Sequence, residues 1–136
     1  MLVASYKLGI DEIKTVVNDL KSHIKDRDIV IFLHGDLAAG KTTFVQNFSD
    51  TKGVTSPTFS LQNCYEDGIY HYDLYNIDME KFFNSGLIHE LEKPGIHFIE
   101  WADEKLKSFC KTAGFETMEI EIKKLDSKRE YRVYGA

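Results

Sequence analysis

Hydrophobic and polar positions along the chain follow two different periods. Over residues 11–24, apolar side chains recur every three or four positions, a spacing that places them on one face of a helix. Asp11 stands at the position of a cap for that helix. Over residues 28–34 apolar residues are consecutive instead, which is typical of a strand that is covered on both faces. The pattern predicts an amphipathic helix packed against a sheet with a buried strand.

The rest of the chain continues this alternation. We predict a helix from Lys41 to about Phe48 and another over 79–91, broken near Ser85 and Gly86. A further helix is predicted over 101–111. Predicted strands cover 61–65 and 69–75, joined by a short turn, then 96–100, and a terminal hairpin of 117–123 and 129–134. These elements predict an α/β fold with a mixed central sheet flanked by helices.

Length and composition restrict the class of protein. A chain of 136 residues with 43% hydrophobic and 29% charged residues has the composition of an ordinary globular domain, so we expect a single domain over 1–136. The longest apolar run is far shorter than the roughly 20 residues that a membrane span requires. The first ten residues lack a signal peptide's basic start and long apolar core. We therefore predict a cytoplasmic protein with no membrane contact.

Charge and cysteine content exclude further classes. The net charge of −5 argues against a protein whose main task is to grip a nucleic-acid backbone unaided. The chain has two cysteines, Cys64 and Cys110, and they do not form a Cys-x-x-Cys pair. We interpret them as reduced structural thiols. Scattered histidines are interpreted as structural or surface residues, with His34 the one that merits a mutant because it precedes the next motif.

Residues 35–42 fit the phosphate-loop pattern G-x-x-x-x-G-K-[ST], between a predicted strand and a predicted helix. Glycines allow backbone N–H groups to converge on phosphate oxygens, and the following helix adds its positive end. Lys41 offers a cation to the β- and γ-phosphates, and Thr42 offers a hydroxyl to Mg²⁺. The predicted nucleotide-contacting residues of this region are Gly35, Asp36, Leu37, Ala38, Ala39, Gly40, Lys41, Thr42 and Thr43.

A phosphate loop needs further polar groups to complete the metal site and orient an attacking group. Glu100 ends a predicted buried strand, at the edge where open α/β sheets place ligands; a surface carboxylate at a strand end is the alternative. Asp73 lies among aromatic residues, where a partly buried carboxylate needs a cation or metal; a hairpin salt bridge is the alternative. Thr58 belongs to a Ser-Pro-Thr-Phe loop at the interval of a switch threonine, or of a plain turn.

Four segments together carry a resemblance to a known family. HGDLAAGKTTF, SPTFSLQNCY, HYDLY and GIHFIEWADE occur in this order, and in order and spacing they resemble the TsaE family, also called YjeE. This family consists of bacterial P-loop ATPases needed for threonylcarbamoyladenosine (t6A) modification of tRNA. The resemblance runs from about Ser5 to Lys124, nearly the whole chain. It implies a P-loop NTPase-like fold.

The resemblance also implies roles for single residues. Lys41 and Thr42 would bind the phosphates of ATP or ADP and Mg²⁺, and Trp101 would lie close to the nucleotide. Thr58 would belong to a switch-like loop. By the same resemblance Asp73 and Glu100, together with Thr42, would serve the metal and hydrolysis site.

Partners are implied in the same way. The family acts with the proteins TsaD and TsaB, and its weak ATP hydrolysis resets their complex between rounds of modification. Contact with tRNA would then be indirect, through the complex. Two positions depart from the family pattern: Ala38 replaces a third loop glycine, and Asn76 replaces an arginine after Asp-Leu-Tyr. These changes put nucleotide affinity and rate in question, but not the catalytic assignment.

Other functions remain to be compared with this one. A small-molecule kinase would use the same loop, but the three arginines, Arg27, Arg129 and Arg132, lie outside the central motifs. A GTP-binding switch would need an N/T-K-x-D segment, and residues 51–54 lack its aspartate. A nucleotide-dependent interaction module with incidental hydrolysis is a third reading. The basic terminal hairpin could dock a partner or tRNA, or be a solvated face.

Overall fold

The computed structural model describes residues 2–24, 27–36, 39–49, 54–55, 62–65, 68–75 and 77–135, without the side chains of Ile10, Val54 and Thr55. Eight strands form one sheet in this part of the chain. They are β1 (Leu2–Leu8), β2 (Ile29–His34), β3 (Val54–Thr55), β4 (Gln62–Tyr65), β5 (Ile69–Asp73), β6 (Ile96–Glu100), β7 (Thr117–Lys124) and β8 (Arg129–Tyr134). The helices are α1 (Ile13–His23), α2 (Lys41–Phe48), α3 (Met79–Asn84), α4 (Leu87–Glu90) and α5 (Glu104–Thr112), with a 3₁₀ turn at Ile10–Glu12.

The sheet is mixed, with strand order β1-β8-β7-β2-β6-β5-β4-β3. At its centre β2 runs parallel to both β6 and β7, and β6 runs parallel to β5. Antiparallel pairs extend the sheet on each side. On one side β8 pairs with β7, and β1 pairs with β8. On the other side β4 pairs with β5, and β3 pairs with β4. The carboxyl ends of the four parallel strands therefore lie along one edge of the sheet. The predicted α/β fold with a mixed, helix-flanked sheet is confirmed.

The two faces of β2 explain its unbroken apolar sequence. Ile31 and Leu33 belong to one hydrophobic core, together with α1 and α2, whereas Val30 and Phe32 belong to a second core with α3, α4 and α5. All four side chains are at most 1% exposed. Burial of each such side chain contributes roughly 1.5–3 kcal/mol. A strand between two helical layers therefore has no polar face, as its sequence predicted.

Most predicted elements are confirmed within a residue or two, including the break between α3 and α4, where Gly86 has a φ of 88°. The predicted helix over 101–111 begins too early. Trp101 has a φ of 64°, and α5 starts only after Asp103, whose Oδ1 accepts a hydrogen bond of 2.9 Å from the backbone N of Leu106. β1 and β3 were not predicted.

The predicted capping role of Asp11 is also wrong. Asp11 lies inside the 3₁₀ turn, and the carboxylate that bonds the start of this segment belongs to Glu12, which accepts a bond of 2.8 Å from the backbone N of Gly9. Cys110 is a buried thiol, and burial raises its pKa to about 11. In the described part of the chain, no helix is long and apolar enough to cross a membrane.

Candidate phosphate-binding site

The phosphate loop leaves the end of β2 and enters α2 through two glycines with unusual backbone angles. Gly35 has a φ of 153°, and a Cβ built on it would lie 2.6 Å from the backbone oxygen of Ile122 on β7. Gly40, the residue before α2, has a φ of 106°. The positive φ favours glycine at both positions, and at Gly35 the close approach of β7 also leaves no space for a side chain. Leu37 and Ala38 lie outside the described residues, so the consequence of Ala38 stays a prediction.

Two backbone oxygens of the loop accept hydrogen bonds that hold its described part in place. The backbone N of Ala39 donates to the oxygen of Asp36 at 3.0 Å. The oxygen of Ala39 accepts a bond of 3.0 Å from Nε of Arg129, at the start of β8. Arg129 is remote from the loop in sequence but contacts it in space. The argument against a kinase, which relied on the arginines lying outside the central motifs, is therefore weakened for Arg129. No sequence pattern linked Arg129 to the loop.

Lys41 is the first residue of α2 and is only 5% exposed. Its Nζ donates to the oxygen of Gly35 at 2.6 Å and lies 3.7 Å from the centre of the Trp101 ring. Burial lowers the pKa of Lys41, while the negative charges of Glu100, Asp73 and Asp36 oppose that effect. The ammonium group is therefore held on the loop, against an aromatic face and near three carboxylates.

Thr42 and Glu100 meet directly. Thr42 Oγ1 donates to Glu100 Oε2 at 3.1 Å, and Glu100 is only 3% exposed. The contact follows from the topology, because Glu100 ends β6 opposite Leu33 of β2, from which the loop departs. The structure thus joins the second carboxylate predicted from sequence to the loop threonine. Thr43 is exposed, and its backbone oxygen accepts a bond of 2.8 Å from the side-chain amide of Asn47.

Asp73 stands beside Glu100 at the end of the neighbouring strand. The two residues are register partners in the parallel pair β5 and β6. We expected Asp73 to be partly buried, and this is wrong: it is exposed, because β5 ends there. Its Oδ1 accepts a bond of 3.0 Å from the backbone N of Tyr75. In the ranges the structure describes, no ion pair includes Asp73, so the hairpin salt bridge is not found there.

The remaining predicted residues fall in two places. Trp101 follows β6 directly, is half-buried, and lies with its ring 5.1 Å from that of Tyr75. Its contact with Lys41 brings it to the phosphate loop. Thr58 and the rest of the Ser-Pro-Thr-Phe segment lie outside the described residues, so its switch role stays a prediction.

His71 is a residue of the site that sequence reasoning missed. It lies on β5 with 2% exposure, and its Nε2 is hydrogen-bonded to Glu100 Oε2. We had interpreted it as an ordinary structural or surface histidine. The signal was its spacing: side chains alternate along a strand, so His71 shares a face with Asp73, two residues on. Its other ring nitrogen, Nδ1, is buried and has no hydrogen-bond partner within the described structure.

A cavity of about 610 Å³ adjoins the loop. It is bounded by the loop, by Trp101 and by the end of β7, where Lys123 and Lys124 line it. His34 lines it too, and its Nε2 lies 2.7 Å from Glu119 Oε1. Burial alone would raise the pKa of Glu119, but hydrogen bonds from Lys107 and His34 hold that pKa below its usual value. A cavity of this size and place suits a nucleotide-sized ligand.

The donor set at the loop fits magnesium. Within the described residues no cluster of three or more His, Cys, Asp or Glu side chains could by itself enclose a metal ion. Mg²⁺ does not need such a cage, since it commonly binds one or two carboxylates, phosphate oxygens and water. The Thr42 hydroxyl donates a hydrogen bond to Glu100, so a lone pair of its oxygen remains available to a cation. Thr42, Glu100 and Asp73 are therefore oxygen donors of the right kind.

Comparisons with known proteins identify the family of this chain. The family model "Threonylcarbamoyl adenosine biosynthesis protein TsaE" matches residues 9–132. The chain is 33% identical over 135 residues to the tRNA threonylcarbamoyladenosine biosynthesis protein TsaE of Bacillus subtilis, covering 88% of this chain and 84% of that protein. It is 42% identical over 85 residues to the protein of the same name from a Nostoc species, covering 54% of this chain and 52% of that protein.

A solved structure supports the same relationship. The crystal structure of Bacillus subtilis YdiB matches 99% of this chain and 87% of its own, with a TM-score of 0.66 and 26% identity. The segments that predicted the family are therefore embedded in a similar fold as well as in a similar sequence. The chain belongs to the TsaE family of tRNA threonylcarbamoyladenosine biosynthesis proteins, with the P-loop-like fold that its phosphate-loop sequence predicted.

Proposed function

We propose that this protein binds ATP and hydrolyses it in the presence of Mg²⁺, weakly on its own, as a single-domain component of t6A biosynthesis. The observation that carries the proposal is the bond of 3.1 Å between Thr42 Oγ1 and Glu100 Oε2. It joins the threonine of a phosphate loop to a buried carboxylate at the end of the adjacent parallel strand. The bond supports the proposal because it brings together two residues of the proposed site that are 58 positions apart in sequence.

The side chains of this site would divide the work between binding and orientation. The loop backbone and the start of α2 would hold the β- and γ-phosphates of ATP. Lys41 would move its ammonium group from the oxygen of Gly35 to the phosphates, a short displacement because that oxygen belongs to the same loop. Asp73, which is exposed beside Glu100, would orient an attacking water.

Thr42, Glu100 and Asp73 would hold Mg²⁺ directly or through water. When bound, Mg²⁺ neutralises charge that develops on the phosphate oxygens. The hydrogen bond to Glu100 would hold the Thr42 side chain in one rotamer, with its hydroxyl oxygen available to the ion and the phosphates. Burial of Glu100 strengthens this bond, because few water molecules compete for it.

The partner proteins belong to the same proposal. As the family resemblance implies, TsaD and TsaB would bind this protein, and its hydrolysis would reset their complex, with tRNA reached only through them. Slow hydrolysis by the isolated chain is consistent with an exposed Asp73, since a site open to water holds its reactants less well. A partner that covers this edge of the sheet would exclude water and raise turnover.

Trp101 fluorescence provides the test. Because Lys41 Nζ lies 3.7 Å from the ring centre, withdrawal of the ammonium group to bound phosphates should change the emission of the single tryptophan. We expect a saturable change with ATP and with ADP plus Mg²⁺ for the wild-type protein. Lys41→Ala should lose most of the response, whereas Lys105→Ala, which removes a lysine stacked on Phe83 remote from the loop, should keep it.

Product analysis then separates hydrolysis from phosphotransfer. Release of inorganic phosphate, increased by TsaD and TsaB, supports the proposed ATPase. Absence of nucleotide binding by both fluorescence and calorimetry would overturn the proposal. ATP consumption without inorganic phosphate, in the presence of an added small-molecule acceptor, would instead favour a kinase.

A further inference from the structure

His71 occupies an unusual position for a histidine in a central strand. It is 2% exposed, and its Nε2 bonds Glu100 Oε2, the same oxygen that accepts the Thr42 hydroxyl at 3.1 Å. Two donors from two different elements, β5 and α2, therefore converge on one carboxylate oxygen. The second oxygen, Oε1, takes part in neither bond.

The hydrogen-bond pattern defines the tautomer of His71. A carboxylate only accepts hydrogen bonds, so the proton of the contact belongs to Nε2. Nδ1 then carries a lone pair, and it has no partner in the described part of the chain. The opposite tautomer would bury an N–H group that has no acceptor among the described residues, which is unfavourable. His71 is thus a fixed donor to Glu100.

We propose that His71 is a positioning residue for the magnesium site, holding the Glu100 carboxylate in the rotamer and rotation that direct Oε1 toward the ion and its water. The proposal rests on the proposed ATP and Mg²⁺ binding. It goes beyond it by assigning His71, on β5, a role that no motif assigned. Two donors on Oε2 restrain rotation of the carboxylate, so that Oε1, which takes part in neither bond, would be left for the ion.

A purely structural role is the competing explanation. A buried histidine bonded to a buried glutamate would stabilise the β5–β6 pair wherever it occurred. However, a residue kept for stability alone is expected to satisfy both ring nitrogens, and Nδ1 of His71 does not do so among the described residues. The location supports the positioning role as well, since the accepting carboxylate is the one that also bonds the loop threonine.

The experiment uses the Mg²⁺ dependence of nucleotide binding, read from Trp101 fluorescence. ATP is titrated first in EDTA, and then Mg²⁺ is titrated at saturating ATP. For His71→Leu we expect the Mg²⁺ concentration at half-effect to rise about tenfold or more, because loss of a residue that orients a ligand typically costs 10–100-fold in metal affinity. The ATP affinity in EDTA should stay within about twofold, since the phosphate loop is intact.

Two further variants keep the test valid if leucine prevents folding. In His71→Gln the amide nitrogen reaches the place of Nε2 and should restore the wild-type Mg²⁺ dependence, whereas the shorter His71→Asn should behave like leucine. His97→Leu is the matched control, since His97 is also buried at 1% exposure but lies toward the opposite edge of the sheet. It should lower stability without changing the Mg²⁺ dependence.

The outcomes separate the two proposals. If the wild-type protein binds no nucleotide, the proposed function fails, and this inference fails with it. If the wild type binds ATP with Mg²⁺ but His71→Leu, or the Gln and Asn pair, shows no difference in Mg²⁺ dependence, the inference alone is overturned. An equal shift in His97→Leu would also overturn it, because the effect would then follow from general destabilisation.

Discussion

The two buried histidines of the sheet, His71 on β5 and His97 on β6, show how its two edges differ. His97 uses both ring nitrogens, with Nδ1 2.8 Å from the Tyr72 hydroxyl and Nε2 2.8 Å from the backbone oxygen of Lys93. Its ring stacks on Tyr70 with centres 4.5 Å apart. His71 uses only Nε2 within the described structure, and its acceptor is Glu100.

The network around His97 extends across several elements. The amide nitrogen of Gln62 on β4 donates at 3.2 Å both to the Tyr72 hydroxyl and to Glu90 Oε1 of α4. Lys93 Nζ donates to the same glutamate oxygen at 2.8 Å. Buried polar groups that are bonded in this way fix the relative places of strands and helix. At the phosphate-loop edge the polar groups converge on Glu100 instead, where Thr42 and His71 bond the same carboxylate oxygen. Such convergence is typical of a ligand site.

The largest expected effect is on ATP hydrolysis, and it distinguishes Glu100 at the phosphate-loop edge from Glu90 in the network around His97. Glu100→Gln keeps the shape of the side chain but removes the charge that would serve Mg²⁺ and the attacking water. We expect the ATP hydrolysis rate to fall about 100-fold or more, while ADP binding without Mg²⁺ persists. Glu90→Gln, the same change in the His97 network, should leave hydrolysis unchanged. Steady-state phosphate release checks this, and equal rates in the two variants would contradict it.

The next effect concerns stability. His97→Leu removes one hydrogen bond from the buried Tyr72 hydroxyl, which keeps only its bond from Gln62, and leaves the partly buried backbone oxygen of Lys93 without its bond from His97. We expect the free energy of unfolding to fall by about 2 kcal/mol, because each unsatisfied buried polar group costs roughly 1–3 kcal/mol. Urea denaturation measures it. Nucleotide binding should be unchanged, and a parallel loss of binding would remove the distinction between the two edges.

A smaller effect is expected where β8 supports the loop. Arg129→Ala removes the bond to the oxygen of Ala39, and we expect nucleotide affinity to fall about fivefold, corresponding to about 1 kcal/mol. Arg132→Ala is the control, since Arg132 lies on the same strand and its Nε is 3.4 Å from Glu130 Oε1. Calorimetric titration with ADP should separate the two variants. Equal affinities would show that the Arg129 contact does not support binding.

The smallest effect is a pH dependence of stability. Burial lowers the pKa of His97 below its usual 6.5, so between that value and the lower folded pKa the unfolded chain binds more protons than the folded one. The contribution of His97 to stability is therefore complete above pH 6.5 and decreases as the pH falls below it. Urea denaturation from pH 7.5 to 5.5 should show this decrease, with a shallower slope in His97→Leu. Parallel slopes would contradict it.

The central elements could be predicted because the residue types of each segment indicate how that segment is buried. β2 has no polar position before its last residue, His34, so only burial on both faces suits it. The glycines and the lysine that follow leave few alternatives to a phosphate loop. β1 was missed because its alternation is weak. Ala4, Tyr6 and Leu8 face the core but are only partly buried, and Leu2 and Val3 are about half exposed. β3 has only two residues, too few to show a period.

Site residues were predictable where a motif or a strand end marked them. Lys41, Thr42 and Glu100 are of this kind, and the structure brings them together. Arg129 is not, because it reaches the site from another strand and has no local pattern. His71 belongs to the quoted segment HYDLY and lies two residues before Asp73, but the motif assigned it no role, and only its contact with Glu100 distinguishes it from a structural histidine. Trp101 was assigned to the site by family resemblance. The structure adds its contact with Lys41 and its unusual φ of 64°, neither of which a sequence pattern indicated.

The sequence by itself determined the phosphate loop, the buried parallel strands and the family, because these depend on residue types at fixed spacing along one segment. Only the tertiary structure decided which oxygen of Glu100 is occupied, which histidine contacts it and which arginine holds the loop. Those contacts join residues between 29 and 90 positions apart. Their partners are set by strand order and register, which no single segment of the chain encodes.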